Sequence, residues 1–172
     1  MKIRDLILIL FLGVILFMLA LRFQGQQLIT PSAPNGILSL ELSHDADHTA
    51  KIVTEWAGTI RSSFYINMLL DFIFIIFYGL FLYTSCRYIA LLNPTWKRLA
   101  AIMAAASLTA MSFDVIENVL MITSVTTATD PTITFLTRLF AILKFSLVAI
   151  VLVFIIIAWL IYYIKKLKTS KA

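Results

Sequence analysis

Charge is what this chain has least of. Only 13% of its 172 residues are Asp, Glu, Lys or Arg, against about 25% in a soluble domain. Hydrophobic residues make up 61%, and the mean hydropathy is +0.97. So little polar surface cannot cover a globule in water, and the composition demands a lipid solvent. Cysteine occurs once, at Cys86. That excludes a disulfide within a monomer and a CxxC redox centre. Cys86 reads as a small buried hydrophobe or, near the edge of an apolar stretch, as a palmitoylation site. Internal repeats and low-complexity tracts are missing, as are the HExxH, GxSxG and Walker patterns. The basic residues flank apolar stretches and form no separate patch, which speaks against a nucleic-acid surface and for anionic headgroups as their partners.

What is present is long apolar runs. Four reach the ~20 residues needed to cross a bilayer: residues 5–22, 64–88, 96–126 and 132–164. The first, MKIR followed by LILILFLGVILFMLA, imitates a signal peptide, but MLALRFQ after it offers no clean small-x-small cleavage site. It is expected to stay as the first helix. With both termini inside, Lys2, Arg4, Arg87, Lys97, Arg98, Lys165, Lys166, Lys168 and Lys171 lie on the cytoplasmic side, and Arg22, Lys51, Arg61 and Arg138 outside. That bias sets the orientation. Asn93-Pro94 and Asp130-Pro131 read as cap and first position of the third and fourth helices. The short connections make spans two, three and four antiparallel neighbours. The small-residue run AAIMAAASLTAMS (100–112) lets backbones approach closely in lipid, which places the third helix at the centre.

The one long loop, 23–63, is expected outside. TPSAPNG (30–36) is a turn cluster, and the alternation in ILSLEL (37–42) has the period of a short strand. Ser43 is placed to cap a helix with Asp45 and Asp47 in its first turn. Ala46, Ala50, Val53 and Ala57 form its apolar stripe, with Ile52 and Trp56 beside it and Gly58 as the stop. Too short for its own core, this unit should lie on the outer mouth of the bundle, apolar face down, with Trp56 docking it. His44 and His48 have i, i+4 spacing and are weak metal candidates, set against a simple solvated helix start.

The spans hold polar groups of their own. MSFDVIENVLM (111–121) carries Asp114, Glu117 and Asn118. Counted from the inner anchors, Asp71 and Asp114 lie roughly 24–26 Å up, and Arg22, Glu117 and Lys144 roughly 27–30 Å. Ionisable groups from all four helices therefore share one level in the outer third of the membrane. Asn67, Asp71, Tyr78 and Ser85 form one stripe of the second helix. Ser107 and Asp114 define the line on the third, and Thr137 and Lys144 that on the fourth. Each stripe should face inward, because unpaired charge facing lipid costs several kcal/mol.

Three readings of this cluster stand side by side. The first is an ion-pair and hydrogen-bond network that fixes helix register, with Asp71 or Glu117 neutralising Lys144 or Arg22. The second is a pocket for a partner or an amphipathic, lipid-like ligand, bound through Asp71, Asn118, Tyr78, Asn67 and Arg22. As an enzyme acting on a lipid headgroup, the same pocket would use Glu117 or Asp114 as acid/base and Lys144 as electrostatic stabiliser. Its carboxylates could also hold a divalent cation. The third is ion or proton translocation, which would need a fuller polar path in the inner half or a second copy of the chain.

DFIFIIFYG (71–79) has the form D-F-x-F-x-x-x-Y-G and DVIEN (114–118) the form D-x-x-E-N. On these two segments and the layout of most of the chain, the sequence resembles small bacterial four-helix integral membrane proteins with an external loop after the first helix. The resemblance implies that architecture and the bacterial cytoplasmic membrane, and it carries no activity. The layout is also similar to that of claudins, but their Trp…Cys…Cys signature is absent from the outer loop, so their barrier role does not transfer. The expected fold is thus an all-α membrane protein: a single four-transmembrane-helix domain over 1–172, with a small extracytoplasmic strand–helix cap at 23–63.

Overall fold

The computed structural model describes residues 2–127 and 129–169. Six α-helices follow one another: α1 (Ile3–Gly25), α2 (Ile37–Glu41), α3 (Ala46–Glu55), α4 (Thr59–Leu92), α5 (Lys97–Thr126) and α6 (Pro131–Thr169). Four of them, α1, α4, α5 and α6, are long and apolar enough to cross a membrane. Among the described residues there is no strand.

The helices begin and end for local reasons. Asp130 caps α6: its carboxylate accepts from the N–H of Thr132 at 2.7 Å and of Ile133 at 3.2 Å. Those bonds hold its carboxyl below the usual range. Pro94 opens a single 3₁₀ turn, Pro94–Trp96, which runs directly into α5. Gly58 does not stop α3. That helix ends at Glu55, and Gly58, at φ 67°, supplies the left-handed residue from which α4 starts. As a result α4 begins at Thr59, five residues before the apolar run at 64.

The membrane helices pack in series. α1 lies on α4, α4 on α5, and α5 on α6, while α4 and α6 touch only slightly. α5 is therefore central, and its small residues explain how. Ala100, Ala104, Ser107 and Ala110 are all buried along one face. At Gly79 of α4 an added Cβ would run into the Met111 side chain of α5, so the close α4–α5 approach there uses glycine. Ile75, Leu82, Cys86 and Ile89 of α4 join Val151, Phe154, Ile155 and Ala158 of α6 around that face. Cys86 is fully buried in this core, so the chain offers no accessible thiol for acylation at that point. α1 covers only the far side of α4, and Leu8, Leu12, Leu16 and Phe23 along it are exposed to the surroundings.

The cap differs from the expected strand–helix unit. Residues 37–41 form a helical turn, entered through Gly36 at φ 58°. Asp45, not Ser43, caps α3, its carboxylate accepting from the His48 N–H at 2.6 Å. The face of α3 that is buried carries Thr49, Ile52 and Trp56, one step around from the Ala46/Ala50/Val53/Ala57 stripe. Trp56 is 0% exposed. Its indole N–H donates to the Leu28 carbonyl at 3.0 Å, and its ring packs on Phe64 of α4 at 5.8 Å. With Leu28, Ala33, Leu40, Met68, Met121 and Val125 these residues make a second core that joins the cap to α4 and α5.

Candidate functional site

The cap-side end of the bundle holds its buried charge. Lys144 of α6 is 6% exposed and is the centre of the cluster. Its ammonium donates to Asp114 Oδ1 of α5 at 2.7 Å. It also lies 2.9 Å from Glu117 Oε2, an ion pair whose direction falls short of a hydrogen bond. A third carboxylate approaches from above: Glu41 Oε2 of α2, at 3.7 Å. Three carboxylates from two elements, α5 and α2, thus converge on one lysine, with Glu117 0% exposed at the core of the arrangement. The i, i+3 spacing of Asp114 and Glu117 puts both on one face of α5.

Around this centre the remaining polar groups pair off. Tyr78 of α4 donates its phenolic O–H to Asp114 Oδ2 at 2.7 Å. Asp114 therefore has a partner on each oxygen. Asn118 donates its amide to Asp71 Oδ2 at 2.5 Å, joining α5 to α4 one turn further along. Among the described residues four oxygens of the cluster have no hydrogen-bond donor: both oxygens of Glu117, Glu41 Oε2 and Asn118 Oδ1. Burial pushes the Glu41 carboxyl above its usual range, against the pull of Lys144.

Not every polar residue at this level joins. Arg22 is exposed and makes no ion pair among the described residues. Asn67 is buried but belongs to the α1–α4 seam, where its amide donates to Gln24 Oε1 at 2.7 Å. Gln24 in turn donates to the Ser63 carbonyl at 2.6 Å, and Ser63 bonds Gln27. His44 and His48 stack with ring centroids 5.8 Å apart on the cap and do not reach the cluster. His44 pairs with Asp45 at 2.8 Å, and His48 Nδ1 meets Ser43 Oγ at 3.1 Å. Among the described residues no three metal-ligating side chains converge as a metal site.

Two participants had not been assigned to the cluster from sequence: Glu41, and Gln24 in the seam beside it. Read as a strand, ILSLEL sends Glu41 outward. Read as a helix from Gly36, it puts Ile37, Leu40 and Glu41 on one face, and that periodicity is the signal that finds it.

Neither a protein-family model nor a curated protein nor a solved structure shows significant similarity to the chain. The chemistry must be read from the site itself. Glu41, Asp114 and Glu117 face one base, Lys144, and half-buried Asp71 lies beside them on Asn118, a formal excess of three negative charges if all are ionised. A low-dielectric site cannot hold that excess without protons or a positive guest. While the carboxyls are ionised the unpaired atoms are all acceptors, and the missing donor is either a proton on one carboxyl or a guest.

Proposed function

We propose that this is an integral membrane protein that recognises a donor-rich partner or amphipathic, lipid-like ligand at the buried cluster, with the basic end of the bundle in the cytoplasm and the cap outside. The observation that carries this reading is the mismatch of four carboxyls with one lysine, with the surplus expressed as acceptor atoms that have no hydrogen-bond partner among the described residues. The matching head is an ammonium or a similarly hydrogen-rich cation, with its tail in lipid. Glu41 is the group that such a head would displace, because it comes from the cap and not from a membrane helix. Asp71, Asp114, Glu117 and Asn118 would then hold the guest and Tyr78 would hold Asp114.

A second reading has its own observation. Glu117 and Asn118 are fully buried at the heart of the cluster, and three cavities found among the described residues, lined by residues such as Trp96, Phe81 and Lys97, lie at the opposite end of the bundle. Such close packing favours protons themselves as the guests, exchanged among Glu41, Glu117 and Asp71.

Native mass spectrometry with a long-chain primary amine tests the first reading, using the alcohol and the sulfate of equal chain length as controls. Wild type is expected to retain the amine selectively, and Glu117→Gln to lose it. Equal retention of amine and alcohol by wild type removes the ligand reading. Proton flux in liposomes, present in wild type and abolished by Asp71→Asn, is the result that the second reading requires.

A further inference from the structure

The end of the bundle opposite the cap has its own charge asymmetry. Arg87 near the end of α4 and Lys97 at the start of α5 line one cavity of about 250 Å³. The rest of its wall is apolar: Ile3 of α1, Ala90 and Leu91 of α4, and Ala101 of α5. We infer that this cavity is a binding site for an anionic phospholipid, with Arg87 and Lys97 on the phosphate and the acyl chains running along Leu91 and Ile3.

Four observations support this occupant. First, the two cations come from different helices, and neither forms an ion pair among the described residues. Second, the one carboxylate at this end of the sequence, Asp5, is engaged elsewhere, accepting from the Lys2 N–H at 3.2 Å to cap α1. Third, the site lies at the level of an aromatic belt: Trp96 precedes Lys97, and the rings of Tyr88 and Trp159 meet in a tilted arrangement with centroids 6.0 Å apart. Fourth, the wall is amphipathic. Leu91 is 72% exposed on the side where lipid tails lie. Two basic side chains over an apolar wall match a phosphodiester with tails attached. Basic pockets between membrane helices on the cytoplasmic side are a recurrent form of headgroup site. A soluble phosphate would satisfy the cations and leave the apolar wall unused.

This site is separate from the acidic cluster, and its fate does not depend on that reading. The test is native mass spectrometry of the full chain released from vesicles of equimolar phosphatidylglycerol and phosphatidylcholine. Wild type should carry phosphatidylglycerol preferentially. Arg87→Gln with Lys97→Gln should lower that preference by up to about 30-fold, roughly fivefold for each charge removed. Ala101→Trp, which fills the cavity and leaves the charges, should also lower it. Arg98→Gln removes a neighbouring charge that does not line the cavity and should lower the preference less than either Arg87→Gln or Lys97→Gln alone. Three results overturn the inference: no preference in wild type, an equal loss with Arg98→Gln, or retention of inorganic phosphate without lipid discrimination.

Discussion

The ammonium of Lys144 lies 2.7 Å from Asp114, and this pair ties α6 to α5 with both side chains out of contact with the surroundings. The same lysine is the nearest cation to Glu117 and Glu41. A buried pair of this kind adds little net stability over a well-packed apolar pair, but losing one partner leaves charge stranded. The cluster thus sets register between helices and is sensitive to any change in its balance of charge.

Lys144→Met is the most disruptive change available to the cluster. It leaves Asp114, Glu117 and Glu41 facing one another without a cation. The expected cost is about 3–5 kcal/mol, read as a lower melting temperature and a smaller monodisperse fraction in detergent. Adding Asp114→Asn should restore part of the loss, because one stranded charge is removed. Equal stability of Lys144→Met and wild type would mean that the lysine is not the counter-ion of these acids.

Tyr78→Phe removes one donor and leaves the aromatic volume in place. Asp114 Oδ2 then has no partner, at a cost of about 1–3 kcal/mol. The loss should shrink in an Asp114→Asn background, since the two residues share one bond and their effects are not additive. Thermal unfolding of the two single variants and the double variant gives the coupling directly.

Much of this geometry was legible in the sequence, and the reasons are specific. Helical rise is constant, so counting from the basic anchors gave the common level of Asp114, Glu117 and Lys144. The Asp130-Pro131 pair has a cap chemistry that few contexts override, and α6 starts there. Arg22 shows where counting stops: height follows from rise, but direction needs an asymmetric helix. α1 is apolar nearly all round, so nothing in it fixes which side Arg22 takes. Glu41 shows a second limit. Six residues cannot separate a period of two from one of 3.6, and the decision between them lay in the left-handed Gly36 and in tertiary burial of Leu40.

Trp56→Ala should release the cap and spare the membrane helices. The indole fills the space between Leu28 and Phe64 and carries a buried hydrogen bond. Its loss costs about 3–5 kcal/mol of local stability. Limited proteolysis should then cut within residues 26–58, while fragments containing α4 to α6 stay intact. Cleavage inside those helices at the same rate would show that the cap and the bundle unfold as one unit.

Glu41 makes cap docking dependent on pH, and the sign can be worked out. Burial raises its carboxyl above the usual 4.5. The groups that face it are Lys144 of α6, which favours the ionised form, and Asp114 and Glu117 of α5. Between 4.5 and the raised value the docked cap binds a proton that the free cap does not. Docking is therefore strongest in acid, and it weakens as pH rises from 4.5 through the raised value. Glu41→Gln keeps the shape and is always neutral. It should flatten this part of the pH dependence and hold the cap more firmly than wild type at neutral pH. Hydrogen exchange of residues 37–56, followed across pH in wild type and Glu41→Gln, measures both effects. A cap whose protection in wild type rises with pH over that window would reverse the assignment, because it would make the ionised carboxylate, held by Lys144, the form that docks.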